Sequence, residues 1–119
     1  KPFSEMSYYS GKALKRLGAP EEAEQLFRDL LRYAQQRARQ KATIDYFATS
    51  LPHLLLFDED LNRTTAIASK FLEAQARIGL SEAGGERLLQ EVLAADPNHH
   101  MAIDFQDEIR CEHILQGAG

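Results

Sequence analysis

The chain has 119 residues, of which 44% are hydrophobic and 27% charged, and its formal net charge is −4. These values are ordinary for one soluble domain or a short helical array, and no apolar run approaches the ~20 residues of a membrane span. Fourteen Lys/Arg against eighteen Asp/Glu argue against nucleic-acid binding. The single cysteine, Cys111, cannot form an internal disulfide, which favours a cytoplasmic location. The start at Lys1 indicates a fragment or a processed product.

Charge is unevenly distributed along the chain. Residues 1–50 hold nine Lys/Arg and six Asp/Glu, a net +3, whereas residues 51–119 hold five and twelve, a net −7. Solvated helix faces are one interpretation of this difference. The other is an electrostatically polar molecule with a basic end and an acidic end.

Residues 1–39 are predicted to form an antiparallel helical hairpin. Ser4 is a candidate N-cap of the first helix, and Gly18 is a candidate C′ residue, because glycine tolerates the left-handed conformation. Pro20 suits the first turn of the second helix, predicted over 20–39. That helix carries one apolar stripe at helical spacing, made of Ala23, Leu26, Phe27, Leu30, Leu31 and Ala34.

Residues 40–59 are predicted to be an irregular middle segment. The cations at Arg37, Arg39 and Lys41 favour the C-terminus of the second helix. A short third helix is expected over 42–52, where Pro52 limits its continuation. The apolar run at 54–57 is expected to plug the interior.

Residues 60–96 are predicted to form a second helical hairpin. Asp60 is a candidate N-cap for a helix that runs to about Gly79. Turn residues follow, and the next helix stops at Asp96-Pro97-Asn98. Residues 97–119 are predicted to be a capping helix over about 99–115, whose apolar face is Ala102, Phe105 and Ile109, followed by a frayed tail at 117–119.

The first hairpin resembles the tetratricopeptide repeat (TPR), a helix–turn–helix unit of 34 residues, at the positions of Gly11, Leu14, Leu17-Gly18, Ala23 and Phe27. Small residues at Gly11 and Ala23 let the two helices approach closely, and Phe27 fills the space beside that contact. Residues 72–99 resemble the same repeat. Either Leu72 or Ala74 occupies the repeat position that Gly11 occupies in the first hairpin. The resemblance implies an all-α chain of TPR-like antiparallel hairpins, with about six helices, as a fragment of a right-handed α-solenoid.

The resemblance also implies a function. In TPRs the first helix of each hairpin faces a concave groove, and the matching positions here include Tyr8, Lys12, Lys15 and Arg16. A tyrosine beside three cations suits an acidic or C-terminal carboxylate peptide. We therefore predict a protein–protein interaction or scaffolding module of a larger bacterial protein, which binds a partner through a concave helical groove.

Two alternatives remain open. The segments DYF, SLP, FDEDLNR and DPNH resemble the C-terminal TPR-like region of large bacterial proteins with a carbohydrate-enzyme-like β-sandwich. That resemblance implies an accessory domain packed on a carbohydrate-active catalytic domain. The second alternative is homo-oligomerisation, in which the basic half of one copy meets the acidic half of another.

No pattern of catalytic or metal-binding residues is convincing. Asp58, Asp60 and Asn62 imitate the start of a calcium-binding EF-hand loop, but Arg63 stands where that loop needs glycine. Metal-binding residue types line one stripe of the last helix, but an open line on one helix cannot surround an ion. These stripe residues are His100, Asp104, Asp107 and Cys111. We predict no cofactor, no metal and no enzymatic activity.

Overall fold

The computed structural model describes the backbone of residues 3–48 and 55–118, and the side chains of residues 3–40 and 63–115. These residues form five α-helices and no strand, which confirms the all-α class for this part of the chain. The described helices number five instead of about six. They are α1 (Ser7–Arg16), α2 (Pro20–Ala48), α3 (Leu55–Gly79), α4 (Gly85–Ala95) and α5 (His100–Ala118).

The turn between α1 and α2 is the one that the sequence predicts. Gly18 has a φ of 82°, and its N–H donates to the Lys15 carbonyl at 3.1 Å. The N–H of Ala19 donates to the Leu14 carbonyl at 2.9 Å. These two bonds are the Schellman pattern, which satisfies the last carbonyls of the helix. Pro20 then opens α2, as expected.

Helix α2 is longer than predicted, with 29 residues. The expected end near residue 39 is wrong, since residues 40–48 continue the same helix; the rest of the predicted third helix, 49–52, lies outside the described residues. No glycine or proline occurs between Pro20 and Pro52. Without glycine or proline to end the helix, cationic residues can continue it on its exposed face.

Helix α3 begins at Leu55, so the prediction of Asp60 as its N-cap is wrong. The predicted boundary between residues 59 and 60 also falls inside this helix. Its end at Gly79 agrees with the prediction. Ser81 there adopts the left-handed conformation with a φ of 58° and repeats the hydrogen-bond pattern of Gly18.

Helices α4 and α5 are joined by a short turn. Helix α4 ends at Ala95, directly before Asp96-Pro97, as predicted. His99 Nδ1 accepts a hydrogen bond from the Ala102 N–H at 3.1 Å and so caps the start of α5. Helix α5 runs to Ala118, so residues 117 and 118 of the predicted tail are helical.

The core joins α1, α3 and α5 through aromatic rings. Tyr8 packs edge-on against Phe105 with ring centroids 4.8 Å apart, and Phe71 packs against Phe105 at 5.8 Å. A second buried cluster lies between α2 and α3 and consists of Leu30, Ala34, Leu72 and Ala76. The predicted apolar face of α5 is buried at Ala102, Phe105 and Ile109.

The contacts also set the helix directions. Helices joined by a short turn are antiparallel, as the pairs Gly11–Phe27 between α1 and α2 and Lys70–Glu91 between α3 and α4 illustrate. Helices α1 and α5 run in the same direction, because Tyr8 lies against Phe105 and Lys12 pairs with Glu112. In the described ranges, no helix is both long and apolar enough to cross a membrane.

Candidate functional site

A groove of about 730 Å³ lies between α1 and α5. At its base the Tyr8 and Phe105 rings bring the two helices into contact, with ring centroids 4.8 Å apart. The wall from α1 is formed by Tyr8, Tyr9, Lys12, Ala13, Arg16 and the following Leu17. The wall from α5 is formed by Asp107, Glu108, Cys111 and Glu112.

Two polar contacts connect these walls. Lys12 Nζ lies 3.0 Å from Glu112 Oε1, and the side chains are 28% and 41% exposed. The Tyr9 hydroxyl donates to the Glu108 carboxylate, with both oxygens at 3.1 Å. Partly exposed ion pairs contribute at most about 1 kcal/mol to stability. The contacts therefore align the walls, and the aromatic core supplies most of the stability.

Burial and the carboxylates of α5 act on both tyrosines of the groove. Burial, followed by the nearby Glu112 and Glu108 carboxylates, raises the pKa of Tyr8 well above its usual value. Burial, together with the charge of Glu108 and the hydrogen bond to it, raises the pKa of Tyr9 to about 12. Both tyrosines are therefore neutral hydrogen-bonding groups at ordinary pH.

One end of the groove is apolar. Ala13 lines it, and Leu17 beside it is 82% exposed. Helices α1 and α5 run in the same direction, so the exposed Ile114 and Leu115, near the C-terminal end of α5, lie towards the end of the groove where Leu17 lies. Ala13 and Leu17 are called the apolar end below.

The structure brings together three of the four predicted groove residues. Tyr8 is only 4% exposed and belongs to the core, Lys12 is paired with Glu112, and Arg16 is exposed on the groove wall. Lys15 lies outside the groove. Its Nζ donates to the Gly79 carbonyl at 3.2 Å and lies 5.5 Å from the centre of the Phe27 ring.

Sequence reasoning missed the wall from α5. The available signal was the spacing of Glu108 and Glu112, which places both on one helix face. Nothing local indicates that this face meets α1, about a hundred positions earlier in the chain. Asp107 and Cys111, two of the four residues of the stripe on the last helix that we rejected as a metal site, line the groove. Among the described side chains, no three His, Cys, Asp or Glu groups lie close enough to hold a metal ion.

No protein-family model matches the sequence, and no solved structure matches it either.

Proposed function

We propose that this chain is a protein–protein interaction module of a larger bacterial protein, and that it holds a short segment of its partner in the groove between α1 and α5. The observation that carries the proposal is the combination of an apolar end with two charged walls in one groove of about 730 Å³. Cavities of ~300–1,000 Å³ admit a ligand of a few side chains.

The two hairpins support a TPR-like architecture with α5 as a cap. Tyr8, Gly11 and Gly18 in the first hairpin correspond to Phe71, Ala74 and Ser81 in the second, each pair separated by 63 residues. Both small residues are buried, and both C′ residues have a positive φ. This correspondence favours Ala74 over Leu72 as the small residue of the second hairpin. The separation exceeds the 34 residues of a TPR because α2 is 29 residues long.

A groove-blocking variant tests the proposal. Ala13 lines the groove and its side chain is exposed, so Ala13→Trp fills the apolar end without entering the core. Ala94→Trp is the matched control, because Ala94 is an exposed helical alanine on α4 that does not line the groove. Each protein is immobilised, exposed to lysate of the source cells, and the retained proteins are identified by mass spectrometry.

We expect one or more proteins to be retained by the wild type and by Ala94→Trp but lost with Ala13→Trp. Retention that Ala13→Trp leaves unchanged would place the interaction on another face. If none of the three proteins retains a partner, the proposal that the chain binds a separate protein is wrong. Circular dichroism of the two variants checks that each is folded.

Self-association is a second candidate. It is supported by the exposure of Leu17, Ile114 and Leu115, which are 82%, 69% and 72% exposed. Sedimentation equilibrium at low and high salt tests it. A dimer that dissociates with Leu17→Ser would support self-association, whereas a monomer at all concentrations would exclude it.

A further inference from the structure

We infer that the groove selects a short positively charged segment of a partner protein, in which a lysine or arginine and an apolar side chain lie a few residues apart. The inference rests on the proposed function and gives the ligand the opposite charge from that expected from α1 alone.

The cations of α1 are largely unavailable to an acidic ligand. Lys12 is neutralised by Glu112 at 3.0 Å, and Lys15 is directed to the Gly79 carbonyl outside the groove. Arg16 remains, and within the described part of the chain it makes no ion pair. A carboxylate entering the groove would therefore meet a single free cation.

The carboxylates of α5 are more available. Asp107 makes no ion pair within the described residues, and the partner of Glu108 is the neutral hydroxyl of Tyr9. Asp104 lies close enough to raise the pKa of Tyr9 through its charge. With Lys12 and Glu112 cancelling each other, the end of the groove near Tyr9 carries uncompensated negative charge.

The negative end and the apolar end are separated along the groove. The residues of the apolar end, Ala13 and Leu17, follow Tyr9 by four and eight positions, which corresponds to about 6 to 12 Å of helix. The partly exposed Tyr9 ring beside the Glu108 carboxylate suits a lysine or arginine, through the ring face and a charge-assisted hydrogen bond. Leu17 and Ala13 suit an apolar side chain. A distance of ~10 Å spans about three residues of an extended peptide, so the ligand pattern is a cation and an apolar residue about three residues apart.

Two synthetic peptides test the charge preference. They have the same length and the same leucine, alanine and serine content, and they differ in carrying either lysines or glutamates. Their binding to the full chain is measured by fluorescence anisotropy at low and physiological salt, and the site is mapped by chemical shift changes of backbone amides. We expect the lysine peptide to bind about tenfold more tightly or better, to shift amides of α1 and α5, and to weaken as salt rises.

Variants on the two walls sharpen the test. Asp107→Asn combined with Glu108→Gln should weaken binding of the lysine peptide by about tenfold, because two uncompensated charges are removed. Arg16→Gln should strengthen it by about two- to fivefold, since it removes a repelling charge. The control is Glu82→Gln combined with Glu91→Gln, which removes the same charge from α4 and the turn before it and should leave affinity unchanged.

The outcomes separate this inference from the proposed function. If the glutamate peptide binds the groove as well as or better than the lysine peptide, the charge preference is overturned but the groove remains a binding site. If Ala13→Trp leaves binding of the lysine peptide unchanged, the peptide binds the acidic surface in general and the inference is wrong. If neither peptide shifts amides of α1 and α5, the inference fails, and the lysate experiment decides separately whether the groove has a different ligand.

Discussion

Gly11 lies so close to Phe27 that a Cβ atom on Gly11 would be 2.4 Å from Cζ of the ring. On α3, a Cβ atom on Gly79 would be 2.7 Å from the same ring. The ring of Phe27, which is fully buried, is thus held between two glycines on different helices. These close contacts determine how α1, α2 and α3 pack together, and they lead to the first two predictions.

Gly11→Ala should lower the free energy of unfolding by about 1–3 kcal/mol, because the added methyl group must displace the Phe27 ring. Alanine is intrinsically the better helix former by about 1 kcal/mol, so a loss would show that packing outweighs propensity. Urea unfolding followed by circular dichroism measures the change. Ser10→Ala is the control on the exposed face of α1 and should be neutral or slightly stabilising. A Gly11→Ala protein as stable as the wild type would contradict the close contact.

A double-mutant cycle tests whether the two residues act together. In a Phe27→Leu background the ring is absent, so Gly11→Ala should cost at least 1 kcal/mol less than it does in the wild type, roughly the coupling seen between contacting residues. The same unfolding measurement on the four proteins gives the coupling. Additive effects would mean that Gly11 is required for some reason other than the ring.

Phe27→Ala should cost about 3–5 kcal/mol, the value expected when a fully buried aromatic side chain is removed. Leu17→Ala is the comparison, because Leu17 is 82% exposed and its removal should change stability by less than about 0.5 kcal/mol. Thermal and urea unfolding of both variants provide the measurement. Similar losses for the two substitutions would contradict the burial described for Phe27.

Ser81→Gly should raise the free energy of unfolding by about 0.5–1 kcal/mol. Ser81 has a φ of 58°, a conformation that is costly for a residue with a side chain and not for glycine. Ser10→Gly is the control, since the same chemical change within helix α1 should destabilise by about 0.5–1 kcal/mol. Opposite signs for the two changes, measured by urea unfolding, would confirm the conformation at Ser81; a loss of stability in both would argue against it.

Stability should fall above about pH 10, where tyrosines of unfolded chains ionise. The pKa of Tyr9 is raised to about 12 in the folded chain, so folding favours the neutral form. This contribution is fully present below the unfolded pKa and is lost as the pH rises through the folded pKa. Tyr9→Phe should therefore lose less stability than the wild type between pH 9 and about 12. Unfolding curves across this range measure it, and parallel losses in both proteins would exclude a role for Tyr9.

The hairpin turns could be predicted because their signals are local. Gly18 followed by Pro20 ends one helix and starts the next, and Asp96-Pro97 ends α4. The break near residue 39 and the cap at Asp60 were wrong because the type of residue at each position was their main evidence. Charged residues are favourable near helix ends but also occupy exposed positions within helices, so without glycine or proline they do not determine a boundary.

The groove could be predicted only in part. Its α1 wall follows from the helical positions of Tyr8, Lys12 and Arg16, which the repeat-like spacing places on one side. The prediction that Lys15 lies in the groove was wrong, because its long side chain reaches the Gly79 carbonyl on another helix. The contact of Glu108 with Tyr9 depends on tertiary packing between distant parts of the sequence, which no local pattern indicates.

The groove is built from α1 and α5, the first and last of the described helices, and the Tyr8–Phe105 contact that closes it joins positions almost a hundred residues apart. Contacts of such long sequence separation carry a larger loop-closure entropy cost than local contacts. The binding surface should thus become complete late in folding, when α5 docks against α1. A ligand that touches both walls would hold this closure in place, and its affinity would add directly to the stability of the whole helical array.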